Sequence, residues 1–305
     1  MKEFETYTLS NGIRGIHRQV RSGVTHCAMV VNAGSRDEQR GEYGIAHFVE
    51  HALFKGTAKR KAHQVNCRLE NLGGELNAFT TKEDTTLHAT VMRHDFSRAV
   101  ELIGDVIFRS TFPEHELKKE REVIADEINS YKDSPSERIY DDFEDMIFRG
   151  SELGHNILGS KASIARFDSE AIKRYVARCY TTDQMVFSSI GNFSVATARS
   201  VAERYLASFA PTKREFKRVA PLPYEAFDVC QQVLQTLMDG SYIVFGNDAG
   251  IAQHLRMGQR ALNILLIHPL IKADGGIKII RDLLCCATGS TSPHLCHSFL
   301  LCLLL

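Results

Sequence analysis

Two histidines and a glutamate at residues 47–51 could together hold a metal ion and move a proton. In the sequence His-Phe-Val-Glu-His, His47 and His51 are four residues apart, so a helix would project both rings from one face. Glu50 would lie on that face beside a metal-bound water, without being a ligand. This His-x-x-Glu-His spacing is the inverted form of the zincin pattern. It predicts a zinc-dependent peptidase.

The residues around this motif predict that it lies on an amphipathic helix. Apolar residues recur at helical spacing, at Ile45, Phe48, Val49, Ala52 and Leu53. This apolar stripe is centred opposite His47, Glu50 and His51, and Gly56 is a candidate C-terminal stop. The alternative interpretation is a solvated polar face that carries the motif by accident.

A catalytic zinc site needs a third protein ligand, and a second predicted helix offers one. The helix begins near Pro113, and its apolar seam consists of Leu117, Ile124, Ile128 and Tyr131. Glu120 and Glu127 lie two turns apart along the edge of this seam. Carboxylates that point toward a core are costly unless they are paired or bound to a metal. Either one could approach the histidines, and local salt bridges are the alternative.

Three segments of the chain together resemble one known family. Residues 44–57 read Gly-Ile-Ala-His-Phe-Val-Glu-His-Ala-Leu-Phe-Lys-Gly-Thr, residues 73–80 read Gly-Gly-Glu-Leu-Asn-Ala-Phe-Thr, and residues 120–128 read Glu-Arg-Glu-Val-Ile-Ala-Asp-Glu-Ile. They resemble signature segments of the pitrilysin/insulinase family of zinc metallopeptidases, which includes the mitochondrial processing peptidase. The resemblance extends over about residues 1–230.

The resemblance implies a role for each residue of the candidate site. His47, His51 and Glu127 would bind one Zn²⁺, and Glu50 would be the general base that takes a proton from the zinc-activated water. Glu120 would support the site from behind the ligands.

The same resemblance implies how substrate is held. Asn77, Ala78 and Phe79 would pair with an extended peptide as an added strand. The expected activity is therefore that of a zinc metalloendopeptidase acting on extended or unfolded peptides.

Family members usually close a chamber with a second similar domain or subunit, so a partner of this kind is expected. The alternative function is a catalytically weak or silent subunit that supports an active family partner. A further rival, S-ribosylhomocysteine lyase, also uses a His-x-x-Glu-His helix but takes a cysteine as third ligand. No cysteine lies between Cys67 and Cys179, where that ligand should fall.

The expected fold is α+β, with a mostly antiparallel sheet packed against helices, like one half of the mitochondrial processing peptidase. Predicted strands cover residues 6–10, 12–20, 24–33, 75–81, 84–92 and 185–190. The zinc-binding peptidase domain is expected at residues 1–210, followed by a linker at 211–223 that contains an exposed basic stretch. Residues 224–305 are expected to be a partial or aberrant second domain, since 283–305 form a Cys- and Leu-rich tail without a charged residue.

The composition of the chain indicates which classes of binding partner and which cellular compartment to expect. The formal net charge is zero in 305 residues, so neither nucleic acid nor a membrane is an expected partner. No apolar leader is visible at the N-terminus, and none of the eight cysteines forms a C-x-x-C pair. These features predict reduced thiols and a cytoplasmic location.

Overall fold

The computed structural model describes residues 4–134 and 150–219, together with residues 138, 141, 142, 144, 145 and 148. One compact unit comprises Met1–Ile128 and Asn156–Val219, and the remaining residues are assigned to a second. The expected second domain at 224–305 and the end of the expected linker lie outside the described residues. The elements below belong to the first unit, except for the C-terminal end of one helix.

The sheet contains six strands among the described residues. They are β1 (Glu5–Thr8), β2 (Arg14–Gln19), β3 (Val24–Val31), β4 (Glu75–Thr80), β5 (Thr85–Met92) and β6 (Met185–Gly191). Their spatial order is β1-β2-β6-β3-β5-β4. Only the pairing of β2 with β6 is parallel in this sheet. The expectation of a mostly antiparallel sheet is confirmed.

Seven α-helices whose bounds lie entirely within the described residues accompany the sheet. They are α1 (Ile45–Leu53), α2 (Ala62–Glu70), α3 (Phe96–Arg109), α4 (Glu114–Lys132), α5 (Lys161–Ile164), α6 (Ser169–Cys179) and α7 (Val195–Leu206). Helix α1 ends at Leu53, three residues before Gly56, which has a φ of +122°.

The hydrophobic core lies between the helices and one face of the sheet. In β3, Cys27, Met29 and Val31 point into the core, whereas Val24 and His26 are exposed. Helix α3 packs on β3 and β5, while α1 and α2 pack on β4, which is an edge strand. The helix with the two histidines therefore lies beside the strand expected to bind substrate. The α+β class is confirmed.

The basic stretch that follows α7 is anchored to the first unit. Residues 211–219 have no regular secondary structure, yet the Arg218 guanidinium donates to both carboxylate oxygens of buried Asp37, at 2.9 and 2.7 Å. Arg218 also donates to the Asn32 side chain at 2.7 Å. Lys213, Glu215 and Lys217 of this stretch are exposed, as expected, whereas Arg218 is held by the buried carboxylate of Asp37. The domain boundary itself stays a prediction.

Candidate metal centre

Helix α1 presents His47 and His51 one turn apart. Their ring centroids are 4.7 Å apart, with the planes inclined at 62°. His47 is 8% exposed, and its Nδ1 has no hydrogen-bond partner among the described residues. His51 is half-buried. The i, i+4 spacing thus brings the two rings together, although His47 is more deeply buried than a polar helix face would suggest.

The start of α1 is set by residues that the sequence analysis did not single out. Gly44 has a φ of +98°, and a Cβ atom there would lie 2.7 Å from the carbonyl oxygen of Leu158. The buried Glu38 carboxylate accepts hydrogen bonds from the N–H groups of Gly44 and Ala46, at 3.0 and 2.9 Å. These donors belong to the first turn and have no helical partner of their own. Glu38 lies outside the helical pattern, so no sequence period could have identified it.

Helix α4 brings two glutamates to the histidines of α1. Glu127 Oε1 lies 3.6 Å from Nε2 of His47, and Glu127 Oε2 lies 3.5 Å from Nε2 of His51. Glu120 is buried, and its Oε2 lies 3.1 Å from Nδ1 of His51. The structure therefore brings the expected third ligand and the expected supporting carboxylate to the motif, from a separate helix.

Burial and nearby charges act differently on the two histidines. Burial, assisted by the charge of His51, lowers the pKa of His47 to about 3. Burial also lowers the pKa of His51, but the hydrogen bond to Glu120 and the charges of Glu127, Glu120 and Glu50 outweigh it, so this pKa is raised overall. His47 is therefore neutral at physiological pH, with a lone pair available to a metal.

Glu50 faces the same site from α1. Burial raises the pKa of its carboxyl group, and the charge of Glu127 adds to this. Hydrogen bonds from the side chain and backbone of Thr80, together with the charge of His51, act in the opposite direction but do not cancel the shift. A carboxylate with a raised pKa is a better proton acceptor near neutral pH. Thr80, the last residue of β4, was not identified from the sequence as a partner of Glu50.

The residues expected to bind substrate lie on β4, at the edge of the sheet. Asn77 and Phe79 are exposed, and Ala78 between them is partly buried. The N–H of Ala78 donates to the Oδ1 atom of Asn77 at 2.8 Å. A peptide that pairs with this donor must displace the Asn77 side chain. No described strand covers the outer edge of β4.

The donor set fits a zinc ion. The candidate ligand atoms of His47, His51 and Glu127 all lie within 4.8 Å of one another. Tetrahedral coordination with zinc–ligand distances near 2 Å separates the ligand atoms by about 3.4 Å, close to the 3.5 and 3.6 Å between Glu127 and the two rings. Two imidazoles and one carboxylate are a typical catalytic zinc set that leaves a fourth position open. Their assignment as ligands stays a prediction.

Comparison with known proteins identifies the family of the chain. Residues 18–161 match the family model described as Insulinase (Peptidase family M16), and residues 166–263 match the model described as Peptidase M16 inactive domain. The chain belongs to peptidase family M16. The match to this insulinase and pitrilysin family extends beyond residue 230, where the sequence resemblance ended.

Two relatives and one solved structure are similar to this M16 chain. An uncharacterized zinc protease of Bacillus subtilis is 35% identical over 206 residues, which are 67% of this chain and 50% of that protein. The β subunit of the mitochondrial-processing peptidase of Dictyostelium discoideum is 33% identical over 224 residues, 72% of this chain and 47% of that protein. The crystal structure of pitrilysin superposes with a TM-score of 0.68 at 17% identity, covering 74% of this chain and 25% of that one.

These similarities differ in what they show. The structural likeness to pitrilysin, at low identity, shows the fold. The M16 chain spans about half the length of the curated relatives it matches. Among its described residues, no helix is both long and apolar enough to cross a bilayer.

Proposed function

We propose that this chain is a zinc metalloendopeptidase that hydrolyses extended or unfolded peptides. The observation that carries the proposal is the convergence of His47, His51 and Glu127 from two helices, with Glu50 facing the same site. Membership of family M16, whose relatives include named zinc proteases, supports it. When bound, zinc supplies the Lewis acidity that activates water and polarises the scissile carbonyl.

The protein's own residues supply the remaining functions. His47, His51 and Glu127 would hold the ion. The Glu50 carboxylate would take the proton from the attacking water and deliver it to the leaving amine, and its raised pKa suits both transfers. Glu120 would fix the orientation of the His51 ring through a hydrogen bond with Nδ1 of that ring.

The outer edge of β4 would bind the substrate backbone. An extended peptide can add to this edge through main-chain hydrogen bonds, once the Asn77 side chain releases the N–H of Ala78. Phe79, which is exposed beside it, would contact a substrate side chain. A folded protein offers no free extended backbone, so unfolded or short peptides are the proposed substrates.

A second domain or subunit of the family type is proposed to complete the chamber around the site. The chain covers about half of its curated relatives, one of which is named as the β subunit of a processing peptidase. The coverage of only about half of each relative, together with the match to a family model described as an inactive domain, favours a second candidate function. In it, the chain is a catalytically weak or silent subunit that supports an active family partner. We also propose a cytoplasmic location, to which the free thiols of Cys27, Cys67 and Cys179 are suited.

The test combines metal analysis with hydrolysis of an internally quenched peptide by the full chain. We expect about one zinc per chain and hydrolysis that a chelator abolishes and added zinc restores. Glu127→Gln should lose zinc, because a neutral amide is a much weaker ligand than a carboxylate, and the exposed Glu70→Gln should serve as a control. Zinc without hydrolysis would identify the silent subunit, and unchanged zinc content in Glu127→Gln would point to another ligand.

A further inference from the structure

Lys55 lies two residues beyond the end of α1 and contacts the carboxylate behind the metal site. Its Nζ atom is 2.6 Å from Oε1 of Glu120, whose other oxygen, Oε2, is 3.1 Å from Nδ1 of His51. The side chain of Glu120 is 8% exposed and that of Lys55 is 23% exposed. Glu120 is thus held through both of its oxygens, with its own side chain largely shielded from solvent.

This contact bears on which nitrogen of His51 faces the metal site. A carboxylate paired with an ammonium group only accepts hydrogen bonds, so Nδ1 of His51 must be the donor to Glu120. In the neutral imidazole that a metal requires, the lone pair of His51 is then on Nε2, which is the atom that lies 3.5 Å from Glu127. A rotated or displaced Glu120 would leave both the tautomer and the ring orientation of His51 unspecified.

The loop after α1 is held in place independently of the metal site. The Thr57 hydroxyl donates to Oδ2 of Asp105 at 2.7 Å, and Arg60 pairs with the same oxygen at 2.5 Å. The N–H of Thr111 donates to the carbonyl of Gly56 at 3.1 Å. The backbone around Lys55 is therefore fixed by α3 and its following turn, so the lysine can hold Glu120 rather than follow it.

We infer that Lys55 is a positioning residue for the metal centre: it holds Glu120 in the orientation that makes His51 present Nε2 to the ion. The inference rests on the proposed zinc site, and it assigns Lys55 no contact with substrate or metal. It connects the loop after the first ligand helix to the second ligand helix through a lysine–carboxylate–histidine chain.

The test measures the zinc dissociation constant of the full chain by competition with a chromogenic chelator. Lys55→Met should weaken zinc binding about tenfold or more, the range found when groups that orient a ligand are removed. Lys55→Arg, which keeps a cation, should restore most of the affinity. Lys59→Met should bind zinc like the wild type, since this exposed lysine of the same loop makes no ion pair among the described residues.

A double-mutant cycle distinguishes positioning from a general loss of stability. In a Glu120→Gln background, Lys55→Met should cause little further loss of zinc affinity, because the ion pair with the carboxylate is already gone. An equal loss in both backgrounds, or wild-type affinity in Lys55→Met, would overturn the inference. If Lys55→Met does not fold, Lys55→Gln is measured instead. A wild-type chain that binds no zinc would overturn the proposed function itself, so the two failures are distinguishable.

Discussion

Glu50 combines burial with a position beside two metal-ligand candidates. Its raised pKa follows first from burial, and hydrogen bonds from Thr80 at the end of β4 limit the shift. His47 is kept neutral by burial on the same helix. In the proposed mechanism, one short helix therefore provides a candidate ligand that is neutral and a candidate base with a raised pKa, and both properties depend on the environment of each side chain rather than on residue type alone.

Replacement of the base tests this assignment at the residue scale. Glu50→Gln should retain zinc but lower kcat/KM at least about 100-fold, since an amide cannot accept the proton. Zinc content and hydrolysis of the quenched peptide are measured on the same preparation, with Glu70→Gln as the control. Full activity in Glu50→Gln would show that another group is the base.

At the scale of elements, α1 depends on residues that lie before it in the chain. Glu38 caps the first turn, and Gly44 allows the close approach to Leu158. Just before the helix, Glu42 pairs with Arg178 of α6, at 2.6 Å between Nη2 and Oε2. Contacts that take no part in metal binding thus hold α1 in position.

Loss of the cap should destabilise the domain. Glu38→Ala leaves two N–H groups near a buried helix start without their acceptor, which costs about 2 kcal/mol of the free energy of unfolding. Urea denaturation measures this difference. Glu70→Ala, on the exposed surface of α2, should change the free energy of unfolding by less than about 0.5 kcal/mol. Equal effects of the two substitutions on the free energy of unfolding would show that Glu38 does not stabilise the start of α1.

The Glu42–Arg178 pair should make stability depend on pH. Burial raises the pKa of Glu42, but the hydrogen bond from Arg178, a backbone hydrogen bond from Gln39 and the charge of Arg178 together outweigh it and hold this pKa below the ordinary value of 4.5. Because the folded-state pKa is depressed, the pair's stabilisation is complete above the ordinary pKa and is lost as pH falls through the lowered value. Urea unfolding should therefore show a difference between wild type and Glu42→Gln at pH 7 that shrinks in acid. A difference in the free energy of unfolding that does not change with pH would contradict this role of the pair.

At the scale of the whole molecule, an ion at the candidate site would join two helices that are distant in the chain. His51 and Glu120 are separated by 69 positions, and α1 and α4 approach each other at the candidate ligands. An ion that binds only the folded arrangement stabilises it by mass action.

Zinc should therefore stabilise the fold as well as permit catalysis. At a free zinc concentration 100 times Kd, the free energy of unfolding should rise by about 2.7 kcal/mol. Thermal denaturation of the chelator-treated chain, with and without added zinc, measures the effect. His47→Ala should respond much less to zinc, and Glu50→Gln should respond like the wild type. An identical response of His47→Ala and wild type would place the zinc elsewhere.

The sequence by itself determined the local pattern of the site and the class of fold. The i, i+4 spacing of His47 and His51 depends only on helix geometry, and the apolar seam of α4 predicted which edge carries Glu120 and Glu127. The six predicted strands of the α+β sheet agree with the observed ones to within a few residues, because strand-forming segments and the turns between them are local properties of the sequence.

Only the tertiary structure decided which distant residues meet. The contacts of Lys55 with Glu120, of Thr80 with Glu50 and of Arg218 with Asp37 have no periodic signal. The burial of His47 could not be predicted from the sequence either, since it depends on which elements pack over the helix. Helical spacing specifies where a side chain points from its own backbone, but burial, pKa and pairing depend on elements that the chain brings together only when it folds.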